Sequence, residues 1–410
     1  MADRAVAALI AVGGAAGAAC AGALRTGGFE GEILLVGREP DPPYERPPVS
    51  KDYLAGRIGR DACLLHDAAW YAKRGIELAT RTSVMKLDTT ARTAALSSKE
   101  VVEYGVALVA TGANVRRLRL DGGQLEGIHY LRALGNADAV RAEADAAERV
   151  VLVGGSYIAC EVAATLTALG KRCTRVMVES APLETGFGPT AGRFFADLLT
   201  AKGIELVCAD GVERLEGDGE RVQRVVCSSG RVLDADMVVM GTGAVPDVML
   251  ARGAKLELGE TGGVRCSAAL ETSAPGVWAA GDMCEYESEL HGRRVRIEHW
   301  EVALAQGKHV AAGMLGTRRP FTEVPYFWSD LSDWCTAEYV GPAERWDREI
   351  VRGDPADAAF TVFQLHGGRL AGALTVGRSE DLIHARRLLA ERVEVGGRET
   401  ELAEGDLEAL

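Results

Sequence analysis

Two short stretches of this sequence combine residue types and spacing suited to holding a dinucleotide. They are Val12-Gly13-Gly14-Ala15-Ala16-Gly17 and Gly154-Gly155-Ser156-Tyr157-Ile158-Ala159. Backbone N–H groups at a turn entering a helix cradle a pyrophosphate, and that contact tolerates little side-chain bulk. An acid lies beyond each turn, Glu39 after the first and Glu179 after the second. A carboxylate about 20 to 25 residues past a glycine turn is where a dinucleotide fold holds the adenosine ribose hydroxyls. Neither turn is a strict G-x-G-x-x-G. Val12 stands where the first glycine belongs, adding bulk at a sharp bend, while Ser156 brings a hydroxyl to the phosphate side and Ala159 replaces the last glycine.

Such turns work only between a strand and a helix. Residues 6–12 read as a buried strand, followed by a helix through Leu24 and a second strand over 32–36. The plan recurs with a strand over 149–153, a helix over 158–169 and a strand over 173–178 that ends at Glu179. Two such units in one chain suggest two dinucleotides. The first unit contains an uncharged run of 20 residues, 5–24, but its four glycines and many alanines transfer weakly into lipid, so the run fits strand, turn and helix better than a membrane span.

The 410 residues suggest two to three domains, and 47% hydrophobic with 26% charged residues is ordinary globular usage. A net charge of −13 opposes sequence-independent binding to nucleic acid. Residues 391–410 hold seven acids and two arginines and read as a solvated acidic tail. Nine cysteines occur without a CxxC, and no histidine sits at metal-ligand spacing from a cysteine. Mostly buried thiols in a reducing, cytoplasmic compartment are expected, with no metal site and no nucleic-acid or membrane partner.

The stretch Pro43-Tyr44-Glu45-Arg46-Pro47-Pro48-Val49-Ser50-Lys51 answers no secondary-structure need, and here the sequence resembles the FAD-dependent ferredoxin and rubredoxin reductases. Further matches follow in chain order: Ala110-Thr111-Gly112 with Arg116, residues 154–161, Gly241-Thr242-Gly243 with Pro246, Gly281-Asp282, Glu298-His299-Trp300, and Phe327-Trp328-Ser329-Asp330. The resemblance implies an α/β chain of the glutathione-reductase-like type, with two Rossmann-like dinucleotide-binding domains and a small α+β C-terminal domain. The boundaries it implies are a discontinuous FAD-binding domain over 1–118 and 241–320, an NAD-binding domain over 119–240, and a C-terminal domain with its acidic tail over 321–410.

The same resemblance implies roles. Arg46 falls near the FAD pyrophosphate and Lys51 near the isoalloxazine, where a cation stabilises negative charge on reduced flavin. Thr111, Gly112 and Arg116 resemble the segment over the FAD phosphates, and Ala110, Gly243 and Val84 are further cofactor-binding positions. Gly281 and Asp282 resemble the pair that holds the ribityl chain, although a carboxylate there also caps a helix. Glu161 resembles the acid that keeps nicotinamide close to the flavin. Tyr157 and Ile158 join Gly154, Gly155 and Ser156 on the second dinucleotide. A carboxylate at Glu179 repels a 2′-phosphate and favours NADH over NADPH, a preference tempered by nearby Lys171 and Arg175. Trp300 and Trp328 resemble aromatic positions flanking the isoalloxazine, though tryptophan also packs cores. His299 is a candidate to tune protonation or a structural hydrogen-bonder. Lys51, Glu161, Trp300 and Trp328 are thus the catalytic candidates.

Related disulfide reductases carry a redox cysteine where this chain has Pro42 and Pro43, which implies direct passage of electrons to an outside acceptor. The implied activity takes hydride from NADH onto FAD and passes single electrons to a ferredoxin- or rubredoxin-type protein that serves an oxygenase. Such an acceptor is acidic, and Arg293, Arg294 and Arg296, or Arg318 and Arg319, are candidate docking patches on a monomer or homodimer. Two alternatives stay open: a diverged flavoenzyme acting on a small molecule, and a redox-sensing interaction protein resembling apoptosis-inducing factor.

Overall fold

The computed structural model describes residues 2–410, which divide into two compact units. One takes the chain up to residue 45 with residues 61–114 and 245–326; the other takes 46–60, 115–244 and 327–410.

In the first unit, β1 (Arg4–Ala11) lies between two parallel neighbours, β2 (Ile33–Val36) and the strand Val101–Val109. Ile76–Ala79 extends this sheet beyond β2, and Val277–Ala279 pairs with Val101–Val109. Strands covered on both faces read as continuous apolar runs, and all four residues of β2 are buried. The helix α1 (Ala15–Thr26) joins β1 to β2 and packs against the helix Trp300–Met314. The contact is close enough to explain the alanines and glycines. A Cβ on Gly307 would lie 2.2 Å from the Ala16 carbonyl oxygen, and one on Gly17 would lie 2.4 Å from that of Val12. The uncharged run 5–24 is therefore core strand, turn and helix, and among the described residues no helix is long and apolar enough to cross a membrane.

In the second unit, β3 (Arg149–Val153), α2 (Tyr157–Ala168) and β4 (Arg172–Val176) repeat the plan within a five-stranded parallel sheet. The strand expected over 173–178 stops at Val176, which leaves Val178 exposed and Glu179 three residues beyond the strand. Residues 327–410 belong to the same unit. Their antiparallel sheet pairs Arg369–Val376 with Ala359–His366, and the latter with Arg348–Asp354, while the helix Ser379–Ala390 packs against it. The expected class holds: two Rossmann-like sheets, the first carrying the antiparallel strands Val84–Asp88 and Thr93–Leu96 beside its parallel core, and a small α+β C-terminal part.

Residues 391–410 are not a solvated tail. Val395 and Leu402 are fully buried, Leu407 and Leu410 are buried, and Glu399–Glu404 is helical. Arg352 donates to the carbonyl oxygens of Leu402 and Gly405, and Arg387 donates to that of Leu407. The run of acids had masked four apolar side chains that dock on the C-terminal sheet and helix.

Candidate functional site: two glycine turns and a buried lysine–glutamate pair

The two glycine turns share one geometry. The Val12 N–H donates to the Val36 carbonyl at 2.9 Å, and the Gly154 N–H donates to the Val176 carbonyl at 2.8 Å. Those matching bonds put Val12 in register with Gly154, Gly13 with Gly155, Gly14 with Ser156, Gly17 with Ala159, and Glu39 with Glu179. Gly154 has φ +124°, and a Cβ there would lie 2.1 Å from the Gly241 carbonyl oxygen. Val12 adopts φ +94° at the corresponding position, a left-handed backbone that a β-branched residue rarely takes.

The first turn suits an anion. The N-terminus of α1 has no side-chain cap and no acid in its first turn, and the amides of Gly13 and Gly14 have no partner among the described residues. A Cβ on Gly14 would meet nothing within 4 Å, so the approach to the turn is open. Pro43 packs beside it, its Cγ 3.5 Å from where a Cβ of Gly13 would stand. Glu39 is held by the Tyr44 hydroxyl, which donates at 2.5 Å. Ala110 closes the strand end by donating to the Ala11 carbonyl, the Thr111 hydroxyl donates to the Asp247 carbonyl at 2.5 Å, and the Gly112 carbonyl accepts the Asp247 N–H at 2.9 Å. The Gly281 N–H donates to Gln306 Oε1 at 2.7 Å, placing Asp282 just beyond. Burial pushes the His299 imidazole down to about 4, against the opposing pull of Asp282, so the ring is neutral at neutral pH. Trp300 opens its helix against the core of this unit, and Val84 begins the strand Val84–Asp88.

The second turn has the same bare helix N-terminus. Ser156 makes no capping bond; its hydroxyl donates to the Gly241 carbonyl at 3.1 Å. The amides of Gly155 and Ser156 have no partner among the described residues. The Glu179 carboxyl lies over Gly155, only 2.3 Å from where a Cβ would stand, and its Oε2 is buried without a hydrogen-bond partner. Tyr157 and Ile158 open α2, the tyrosine ring 5.2 Å from that of Phe327. Arg175 is an interior group. It is fully buried, and Lys171 precedes β4 at the end of the strand away from Glu179.

A charged cluster forms within the second unit. Glu161, on α2, is 3% exposed and accepts from the Ser50 hydroxyl at 2.5 Å and the Ser329 hydroxyl at 2.7 Å. Lys51 Nζ stands 3.5 Å from Glu161 Oε1 and 3.1 Å from Asp330 Oδ2, and lies 5.7 Å from the centre of the Trp328 ring. Burial raises the Glu161 pKa while Lys51 and both hydroxyls hold it down. The backbone of the proline-rich motif is fixed on α2 by the Thr165 hydroxyl, which donates to the Ser50 carbonyl at 2.9 Å. Arg46 donates to the Arg132 carbonyl, and the Arg116 N–H donates to the Gly243 carbonyl.

The chain thus gathers Gly13, Gly14, Gly17, Glu39, Val84, Ala110, Thr111, Gly112, Gly281, Asp282, His299 and Trp300 in one unit. It gathers Arg46, Lys51, Arg116, Gly154, Gly155, Ser156, Tyr157, Ile158, Glu161, Glu179, Gly243 and Trp328 in the other. Sequence reasoning missed Ser50, Ser329 and Asp330 as partners of the lysine–glutamate pair, although all three lie inside motifs it had singled out. The candidate basic patch is largely spent internally: Arg294 donates to the Cys266 carbonyl, Arg296 to that of Asp282, and Arg318 pairs with Glu271. Seven of the nine cysteines are buried, and no disulfide forms among the described residues. Cys284 is deeply buried, and that burial, with neighbouring Cys266 adding to it, raises its pKa.

Two pairs of parallel strands, each entering its helix through an uncapped glycine turn with a downstream acid, define a protein with two dinucleotide sites. The chain belongs to the pyridine nucleotide-disulphide oxidoreductase family, whose model matches residues 10–307, and a reductase C-terminal model matches residues 326–409. It is 37% identical over 391 residues to the ferredoxin reductase subunit of a 5,5′-dehydrodivanillate O-demethylase from a Sphingobium species, covering 94% of each chain. A solved ferredoxin reductase of Rhodopseudomonas palustris superposes with a TM-score of 0.94 at 30% identity, covering 99% of each chain. The reductase in a covalent putidaredoxin reductase–putidaredoxin complex superposes with a TM-score of 0.91 at 31% identity over 98% of each chain. The family uses FAD and a nicotinamide dinucleotide, and the unpartnered amides at both turns and the buried, unbonded Glu179 oxygen fit such groups.

Proposed function

We propose that this chain is an NADH-dependent reductase of a ferredoxin-type iron–sulfur protein that serves an oxygenase. The observation that carries the reading is that one chain holds two bare, amide-lined helix N-termini and a buried Lys51–Glu161 pair and is similar along its whole length to ferredoxin reductases. FAD, when bound, supplies the conversion of one hydride into two single electrons. On this reading residues 1–118 and 241–320 hold FAD, residues 119–240 hold the nicotinamide dinucleotide, and residues 321–410 form the C-terminal domain.

The roles follow from chemistry at each position. Gly13 and Gly14 offer amides to the FAD pyrophosphate, Glu39 takes the adenosine ribose, and Asp282 takes the ribityl hydroxyls. Lys51 supplies a fixed cation where negative charge develops, and Glu161 holds that cation in place. Trp300 and Trp328 exclude water with broad apolar faces. Glu179 takes the second ribose. With Arg175 buried and Lys171 at the far end of its strand, neither cation stands by to accept a 2′-phosphate, which supports NADH over NADPH. Pro42 and Pro43 leave no cysteine to relay electrons, which supports direct passage to an outside acceptor. Nine cysteines without a disulfide among the described residues support a reducing, cytoplasmic setting, and a monomer or homodimer suffices because each chain supplies both turns.

The test is anaerobic mixing of the FAD-loaded protein with NADH or NADPH, followed at the flavin absorbance band, and then cytochrome c reduction with and without added ferredoxin. Fast bleaching by NADH and cytochrome c reduction that requires ferredoxin are expected. Reduction that proceeds equally without ferredoxin, or no bleaching by either nucleotide, would overturn the reading.

A further inference from the structure

Among the described residues Arg175 is the largest fully buried side chain, and none of its bonds there reaches a carboxylate. Its Nε donates to the Gly154 carbonyl at 2.9 Å, one terminal nitrogen donates to the Ser156 carbonyl at 3.2 Å, and the other to Cys160 Sγ at 2.7 Å. All three acceptors are neutral, because burial keeps Cys160 a thiol. Glu179, whose carboxyl lies over Gly155, makes no bond to it. A guanidinium cannot shed its proton, so the cation persists uncompensated behind the turn.

The first repeat provides an internal comparison. The register that aligns Val12 with Gly154 puts Leu35 where the second repeat has Arg175, and Ala18 where it has Cys160. Leu35 is fully buried and fills that space with hydrocarbon. Packing alone therefore does not require an arginine at this position of the motif.

We propose that Arg175 is a positioning residue for the nicotinamide dinucleotide, a buried cation that fixes the second glycine turn and lends its charge to pyrophosphate binding. The proposal rests on the reading of this turn as the nicotinamide dinucleotide site. In a trans peptide the C=O and the following N–H point in opposite directions. Drawing the Gly154 carbonyl inward therefore aims the Gly155 amide outward, where an anion takes it, while the Ser156 carbonyl is shared between Arg175 and the Cys160 N–H of its own helix. The same charge sits in a low-dielectric interior where no carboxylate of the described residues bonds to it, and the arriving pyrophosphate supplies negative charge at the turn it supports.

The probes are NAD+, ADP and adenosine, titrated calorimetrically into the FAD-loaded protein and its R175L variant, with FAD content read from the absorbance spectrum. R175L is expected to bind NAD+ and ADP about tenfold more weakly, to bind adenosine as before, and to retain its FAD. ADP bound equally well by R175L overturns the proposal, as does a parallel loss of adenosine, which would mark collapse of the turn rather than a lost phosphate interaction. If R175L does not fold, R175K decides. Its single ammonium cannot hold both carbonyls in a fork, so ADP should weaken while adenosine stays unchanged, and unchanged ADP overturns the proposal. A parent chain that binds neither NAD+ nor ADP removes the reading of the turn and the proposal with it.

Discussion

Lys51 Nζ stands 3.5 Å from Glu161 Oε1, and Glu161 is the more deeply buried partner, its side chain 4% exposed against 12%. Breaking the pair is therefore asymmetric. K51M leaves a buried carboxylate without its cation and should cost about 3 kcal/mol, whereas E161Q leaves Lys51 with Asp330 and should cost about 1 kcal/mol. The variants also differ with pH. Burial holds Glu161 above the ordinary carboxylate range, and losing Lys51 raises it further. A carboxyl raised on folding contributes stability that is present below its unfolded pKa and lost as pH rises through the folded one. The K51M deficit, read from urea melts, should narrow from about pH 8 to about pH 5; a deficit independent of pH would mean that Glu161 is not the group left unpaired.

Val12 holds φ +94° where the second repeat uses Gly154. Such strain costs on the order of 1 to 3 kcal/mol, more than the 0.5 to about 1 kcal/mol of chain entropy that a glycine adds on folding. V12G should therefore stabilise the protein by roughly 1 kcal/mol, whereas V6G, in the middle of a buried strand, should destabilise it. A V12G variant that unfolds at lower urea than the parent would show that the valine contributes more by packing than its backbone costs.

The two repeats were legible because strand, glycine turn, helix and trailing acid all lie within about 30 residues, the span over which pattern and local geometry determine one another. Even Val12 was recognisable as an exception, and the structure turns it into a backbone angle. The partners of Glu161 were not legible in the same way. Ser50, Glu161 and Ser329 are brought together from three distant segments, and no local pattern specifies a contact over that separation. Arg175 was misplaced for a different reason. A charged residue near the end of a strand reads as a surface group, and only the accepting carbonyls of Gly154 and Ser156 make its burial tolerable. The tail was misread because charge was counted and the spacing of Val395, Leu402 and Leu407 was not.

Leu402 tests that correction. It is fully buried on the short helix Glu399–Glu404, and Arg352 donates to the Leu402 carbonyl and to that of Gly405 just beyond the helix. L402A should cost about 2 to 4 kcal/mol and open the last 20 residues to proteolysis, whereas L169A, at an exposed leucine, should be nearly neutral. If L402A is as resistant to protease as the parent, the segment is anchored by its polar contacts and not by this side chain.

His299 gives the molecule a defined acid sensitivity. Burial lowers its pKa from 6.5 to about 4, Asp282 pulls the other way, and the positive end of the helix it caps adds to the cost of an imidazolium. The unfolded chain therefore binds this proton more readily than the folded one. The resulting stability is complete above about pH 6.5 and is lost as pH falls toward about 4, by on the order of 3 kcal/mol. H299Q cannot titrate and should not lose this component. Its melting temperature relative to the parent should be constant above about pH 6.5 and should rise steadily on acidification below it. Parallel profiles for the two proteins across that window would mean that the folded chain accommodates a charged His299, and that Asp282 offsets burial far more than the geometry indicates.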